Sequence, residues 1–164
     1  MYYFDTPILS SEAAAVVIPV SLDAVIKPGT LQYDFAEILP EAYRENYIHN
    51  CRNGRFPQVF VPQVGPWIHR TVWNLPALPS QSSRVLFGHV MRGLAQIVRQ
   101  CAVMDTETIA IPYLCPEIAS WDMFEESLFR FEQDEMDQDM ELWLYPPQEQ
   151  ITITNELTRE LVCL

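Results

Sequence analysis

Glycine is scarce in this chain: only Gly29, Gly54, Gly65, Gly88 and Gly93 occur in 164 residues. Three apolar, strand-like runs end in loops, at 18–29, 73–80 and 109–117, and those loops hold Gly29 alone. Glycine lets a backbone approach a phosphate closely and take positive φ. A ready-made glycine-rich phosphate loop is therefore excluded. Lysine is scarcer still, since Lys27 is the only one and the other nine basic residues are arginines. Against 22 acidic residues these leave a formal charge of -12. That balance excludes a generic basic groove for nucleic acid. It leaves open a basic protein partner for an acidic face. The four cysteines, Cys51, Cys101, Cys115 and Cys163, form no Cys-x-x-Cys pair. His49, His69 and His89 form no His-x-x-x-His or His-Glu-x-x-His spacing, so no metal site is expected. No apolar run approaches the roughly 18 residues of a membrane span. No basic segment followed by an apolar stretch opens the chain. Together these give the expectation of a cytoplasmic chain with reduced thiols.

Apolar residues make up 49% of the chain, enough for the core of one ordinary domain. The run at 13–20 is short, β-branched and apolar, which suits a strand buried on both faces. Pro19 objects to it, since proline cannot donate to a ladder, and fits best near the strand's end. Residues 33–53 read as helix broken at Pro40, with Tyr43, Tyr47 and Cys51 on one face and Asn53-Gly54 as the stop. Residues 58–62 and 67–75 read as two strands joined by a turn at Val64-Gly65-Pro66. Ser82 or Ser83 is expected to cap the next helix, with Leu86, Val90, Leu94 and Ile97 as its apolar stripe. Strand 108–111, helix 121–131 and strand 141–145 come next, the last closed by Pro146-Pro147. Residues 148–164 read as an extension: an added strand or a partly ordered tail.

Helices between buried strands predict an α/β fold with a mixed sheet covered on both faces. Ligands of such folds gather at the carboxyl ends of the strands. Candidate ligand contacts there are Ser21, Asp23, Lys27, Gly29, Ser80, Cys115 and Ser120. Lys27 can reach a phosphate or serve as an amine in catalysis, or stand as a plain loop charge. Asp23 can bind a ribose hydroxyl or act as a base, or be a solvated carboxylate. Asp122 opens the helix at 121 and suits its dipole. Cys115 is a nucleophile only if the fold brings a base beside it. Residues 125–141 are dense in carboxylates, with Arg130 their only base. They read as a solvated face or as an acidic docking surface, with Phe124, Phe129, Phe131 and Met136 as its apolar wedge.

The stretch Leu39-Pro-Glu-Ala-Tyr-Arg-Glu-Asn-Tyr-Ile-His-Asn-Cys-Arg-Asn-Gly54 resembles a landmark of the macro domain family. It is most similar to the antitoxin-type subgroup that removes ADP-ribose from DNA and protein. Further landmarks occur in the family's order. Val17 to Val20 resembles the strand before the first binding loop. Trp73-Asn74-Leu75-Pro76 resembles the Asn-Phe-Pro-Thr-Lys segment. Ile109-Ala110-Ile111-Pro112 resembles the strand before the second loop, Trp121 the tryptophan opening the next helix, and Leu142-Trp143-Leu144-Tyr145 the closing strand. The resemblance runs from about Ile8 to Pro147 and implies a three-layer sandwich over residues 1–147. It departs from the family at the contact sites. Ser21 stands where the family has an asparagine, and Lys27-Pro28-Gly29 replaces the first glycine-rich loop. Ala77-Leu78 replaces the Thr-Lys pair whose lysine is catalytic in the subgroup. Cys115 to Ser120, with Glu117, replaces the second glycine-rich loop.

What the resemblance implies is a module that binds ADP-ribose or a related nucleotide derivative, with no separate cofactor and without efficient catalysis. A second reading is an acidic interaction or inhibitor module on a macro scaffold with a closed pocket, of the kind phages encode. A third is a divergent ADP-ribosyl hydrolase using Lys27 or Asp23. Backbone N–H groups lining an open cleft favour the first and third; a cleft filled by Leu78, Leu114 and Pro116 favours the second.

Overall fold

A computed structural model of the chain describes residues 1–80 and 84–147. The 148–164 extension and the expected caps at Ser82 and Ser83 lie outside the described residues. Six strands form one mixed sheet: β1 (Tyr2–Tyr3), β2 (Ala15–Val20), β3 (Gln58–Phe60), β4 (Thr71–Pro76), β5 (Thr108–Pro112) and β6 (Glu141–Tyr145). Four helices accompany them: α1 (Leu31–Ile38), α2 (Ala42–Asn53), α3 (Phe87–Val103) and α4 (Trp121–Glu135). The sheet order is β1-β6-β5-β2-β4-β3, with β3 antiparallel to β4 and every other pair parallel.

Strand alternation divides the core into two layers. Ala15 and Val17 of β2 face Val90, Leu94 and Ile97 of α3 and Phe124 and Leu128 of α4. Val16, Ile18 and Val20 face Phe35 and Ala36 of α1 and Tyr43 and Tyr47 of α2. All six residues of β2 are buried, as its unbroken apolar run requires. The result is the expected three-layer α/β sandwich. Pro19 is accommodated because β2 parts from β5 early. The β2–β5 register stops at Val16, whereas the β2–β4 register continues to Val20. The missing N–H thus falls where the strands have opened. The opening lies beside β2, the strand from which the sheet order runs both ways, which is where open α/β sheets form their crevice.

Several expectations need correction. Residues 67–70 are not strand: they form a turn ahead of β4, in which Trp67 is buried and His69 takes φ 68°. The Arg70 guanidinium sits 3.7 Å over the Trp67 ring and donates to the carbonyls of Ala13 (2.8 Å) and Ser11 (2.6 Å). These bonds fold the segment against the start of β2 and prevent it from joining the hairpin. Helix α3 begins only at Phe87, and Leu86, at its N-cap, is exposed, leaving Val90, Leu94, Ile97 and Val98 as the stripe. Strand β1 was not read from the sequence, because two exposed tyrosines carry no alternation signal. Gly93 lets α3 pack closely on β4: an added Cβ there would lie 2.4 Å from Leu75 Cδ1, and that side chain would have to shift. The apolar wedge also dissolves. Phe124 is fully buried, Phe131 and Met136 pack against the core, and Phe129 alone of the four is exposed.

Candidate functional site

The carboxyl ends of β2, β4 and β5 open into one cleft of about 350 Å³. Ligand pockets begin at roughly 300 Å³, so this is room for part or all of a small ligand. Its floor and first wall come from the β2–α1 loop and the start of α1: Ser21, Val25, Lys27, Gly29, Thr30, Leu31 and Gln32. Leu78 and Pro79 lie beyond β4, and Tyr113, Leu114, Pro116 and Glu117 beyond β5. Leu78, Leu114 and Pro116 therefore line the cleft and do not fill it.

The first loop is built to present polar groups. Thr30 caps α1 by accepting from the Tyr33 N–H at 3.2 Å. The N–H groups of Leu31 and Gln32, in the first turn, have no partner within the helix, and helix geometry gives that end a partial positive charge. Gly29 makes the entry with φ 82°, a conformation that suits glycine. Ser21, nearly fully buried, donates to Asp23 Oδ1 at 2.6 Å, and its carbonyl accepts from the Tyr47 hydroxyl. Asp23 Oδ2 lies 3.1 Å from Lys27 Nζ. The Ser21 hydroxyl, and then the Lys27 ammonium, hold the Asp23 carboxyl below the usual carboxylate range against an opposing effect of burial. The lone lysine of the chain thus reaches the cleft already paired.

A buried polar chain supports this wall. Gln32 Nε2 donates to the Tyr43 hydroxyl at 3.3 Å, which donates to Asn74 Oδ1 at 2.7 Å. Asn74 Nδ2 in turn donates to Gln58 Oε1 at 2.8 Å, and Gln58 Nε2 to Asn46 Oδ1. Burial pushes the Tyr43 phenol well above its ordinary value, so it remains a neutral donor and acceptor. The chain fixes Gln32, and with it the first turn of α1, to α2 and the sheet. Tyr43 and Tyr47 were legible as one helix face; that they hold the cleft wall by their hydroxyls was not.

The β4 end is tied to the β2 end: the Ala77 and Leu78 N–H groups both donate to the Val20 carbonyl, at 3.1 and 3.2 Å. Ala77 is buried and Leu78 offers the cleft a hydrocarbon surface. The β5–α4 loop turns inward on itself. The Ile118 and Ala119 N–H groups donate to the Cys115 carbonyl at 3.2 and 3.1 Å, and the Tyr113 hydroxyl donates to the Ala119 carbonyl. Glu117 is exposed on this turn and lines the cleft.

Of the seven candidate contacts, Ser21, Lys27 and Gly29 lie on the cleft wall. Asp23 stands behind Ser21 and Lys27 as their shared acceptor. Ser80 comes after Pro79, outside the lining residues. Ser120 is spent on α4, accepting from the Met123 N–H at 3.2 Å. Cys115 belongs to the core beside α3 and α4, and burial pushes its thiol up to about 11, so it has little thiolate near neutral pH. Val25, Thr30, Leu31, Gln32, Pro79 and Tyr113 were not singled out. Their only signal was position just after strand ends, which is too common to select them. No group of His, Cys, Asp and Glu suited to a metal ion exists among the described residues, and none of the described helices is long and apolar enough to cross a membrane.

No sequence family pattern matches the chain, and no curated protein matches it. Solved structures do. The macrodomain of Mycobacterium tuberculosis DarG superposes with a TM-score of 0.74 at 21% identity, covering 89% of this chain and 97% of that one. The chain has the macrodomain fold. The macrodomain of Thermus aquaticus DarG gives a TM-score of 0.71 at 22% identity over the same shares, 89% and 97%. Thermosipho africanus DarTG in complex with ADP-ribose gives 0.73 at 14% identity, with 90% of this chain matching 41% of that longer one. The chain thus joins the macrodomain fold to cleft loops in which Gly29 is the single glycine.

Proposed function

We propose that this chain is a macrodomain module that binds ADP-ribose or a related nucleotide derivative in the cleft at the carboxyl ends of β2, β4 and β5, without efficient turnover. The single observation carrying this reading is the open cleft with the α1 N-terminus and Lys27 on one wall. Unpaired helix N–H groups and one cation suit a phosphate. The fold's likeness to Thermosipho africanus DarTG, whose structure is a complex with ADP-ribose, points the same way. The absence of efficient catalysis rests on the groups present. By the sequence resemblance Leu78, which lines the cleft, stands for the subgroup's catalytic lysine, and Lys27 and Asp23, the candidates for a relocated amine or base, satisfy one another. Titration calorimetry with ADP-ribose tests the reading: micromolar to millimolar binding is expected, and no heat at high protein concentration sinks it. Lys27→Ala should weaken that binding about three- to ten-fold, as loss of one partly screened charge would. Turnover of ADP-ribosylated DNA or protein, abolished by Lys27→Ala, would replace this reading with the hydrolase.

A second reading has its own observation. Tyr3 and Phe129 are about half exposed, at 55% and 49%, on a hollow of about 200 Å³ that they share with Asp122, Glu125 and Glu126. Burial, and then the nearby Glu125 and Glu132 carboxylates, push the Tyr3 phenol up to about 12, so it stays neutral. Aromatic rings among carboxylates suit the cationic side chains of a basic partner. Salt-sensitive binding of an arginine-rich peptide, lost on reversing Glu125 and Glu126, would support this reading; binding indifferent to both would remove it.

A further inference from the structure

The charges lining the cleft are out of balance in a way that nucleotide binding alone does not explain. Its single cation among the described residues, Lys27, is already matched by Asp23 at 3.1 Å. A second carboxylate, Glu117, stands on the wall contributed by the β5–α4 loop, with no ion-pair partner among the described residues. Two of that loop's amides do not offset it, because the Ile118 and Ala119 N–H groups are turned to the Cys115 carbonyl. The part of the lining that comes from the β5–α4 loop therefore offers an incoming anion a negative charge and no donor from those two amides. With Lys27 and Asp23 cancelling, the charged side chains of the cleft sum to about one negative charge, in a chain of net charge -12. One phosphate can be held at the first wall by the helix end and Lys27. A second phosphate, extending toward the other wall, meets Glu117. A carboxylate there is instead suited to accept hydrogen bonds from a sugar diol, having only acceptor oxygens when ionised.

We propose, resting on the nucleotide reading of the cleft, that Glu117 is a specificity-determining residue. It makes this a charge-selective cleft, favouring a ribose ligand with one phosphate over a diphosphate. The phosphate sits at the α1 N-terminus and Lys27, and the hydroxyl-bearing part of the ligand is turned toward Glu117. Repulsion between unit charges across a solvated cleft is of the order of 1 kcal/mol, or about five-fold in affinity.

The test is calorimetry on the full chain and on Glu117→Gln and Glu117→Asp with adenosine, AMP and ADP-ribose at low and high salt. Glu117 is exposed, so neither variant should disturb the fold. Glu117→Gln is expected to tighten ADP-ribose about five-fold or more at low salt and AMP by less. It should leave adenosine unimproved, with the gain shrinking at high salt. Glu117→Asp should keep the discrimination. Equal affinities for ADP-ribose in the wild type and Glu117→Gln, or a gain of the same size for all three ligands, overturn the role of Glu117 while leaving the nucleotide reading in place. Absence of binding of any of the three by either protein overturns that reading and the role of Glu117 together.

Discussion

The β2–α1 and β5–α4 loops occupy equivalent places in the sheet and are used in opposite ways. Each leaves the carboxyl end of a parallel strand and enters the first turn of a helix capped by a hydroxyl, Thr30 in one case and Ser120 in the other. The first loop keeps most of its length at the surface: Leu22, Val25, Lys27, Pro28 and Gly29 are all exposed. The second buries Leu114, Cys115 and Ala119 in the core and bonds its amides to its own carbonyl. The first loop therefore leaves polar groups at the surface beside the cleft, while the second turns its Ile118 and Ala119 amides inward and leaves the Glu117 side chain exposed. Topology assigns a loop to the crevice; side-chain volume and self-bonding decide how much of it is left exposed there.

Substitutions in matched positions can break this contrast. The largest effect is expected for Leu114→Ala, which empties a fully buried position in the second loop and should cost about 2–5 kcal/mol in denaturant unfolding. Val25→Ala, at a position 52% exposed in the first loop, should stay within about 0.5 kcal/mol. Equal losses would show that the two loops share the work of stability. The caps provide a finer comparison. Thr30→Ala and Ser120→Ala should each cost about 1 kcal/mol of stability, while Thr30→Ala alone should also weaken nucleotide binding. Matching losses of affinity in both variants would contradict the assignment of Ser120 to helix support.

The smallest expected effect is on acid stability. Asp23 has a carboxyl pKa lower in the folded chain than in the unfolded one, chiefly through the Ser21 hydroxyl. Its contribution is complete above the unfolded value of 3.8 and is lost as pH falls below that through the folded value. Asp23→Asn should slightly flatten the loss of stability in acid below about pH 4, with little change near neutrality beyond the lost ion pair. An unchanged acid limb would mean that Ser21 and Lys27 do not hold this carboxylate in solution.

Much of the fold was legible because its signals are local. The β-branched run ending at Val20 names a buried central strand, and Tyr43, Tyr47 and Gly54 fix one face and the end of α2. The misread elements are those where a distant partner decides. Residues 67–70 carry strand-forming side chains, yet Arg70 bonds to carbonyls 57 and 59 residues away and turns the segment aside. The site divides in the same manner. Ser21, Lys27 and Gly29, selected because they come after a strand end, line the cleft. Cys115 and Ser120 come after a strand end too, but packing and helix capping claim them.

By itself, then, the sequence determined the layered α/β arrangement, the absence of glycine-rich loops and the excess of negative charge, since these are properties of composition and of short periodic segments. Only the tertiary structure decided that the cleft stays open, that Lys27 arrives paired with Asp23, and that Glu117 joins the lining with no ion-pair partner among the described residues. The cleft and the placing of Glu117 depend on which distant segments come together, and the Lys27–Asp23 pair, four residues apart, on how its loop folds; hydrogen bonds and ion pairs act only over a few ångströms.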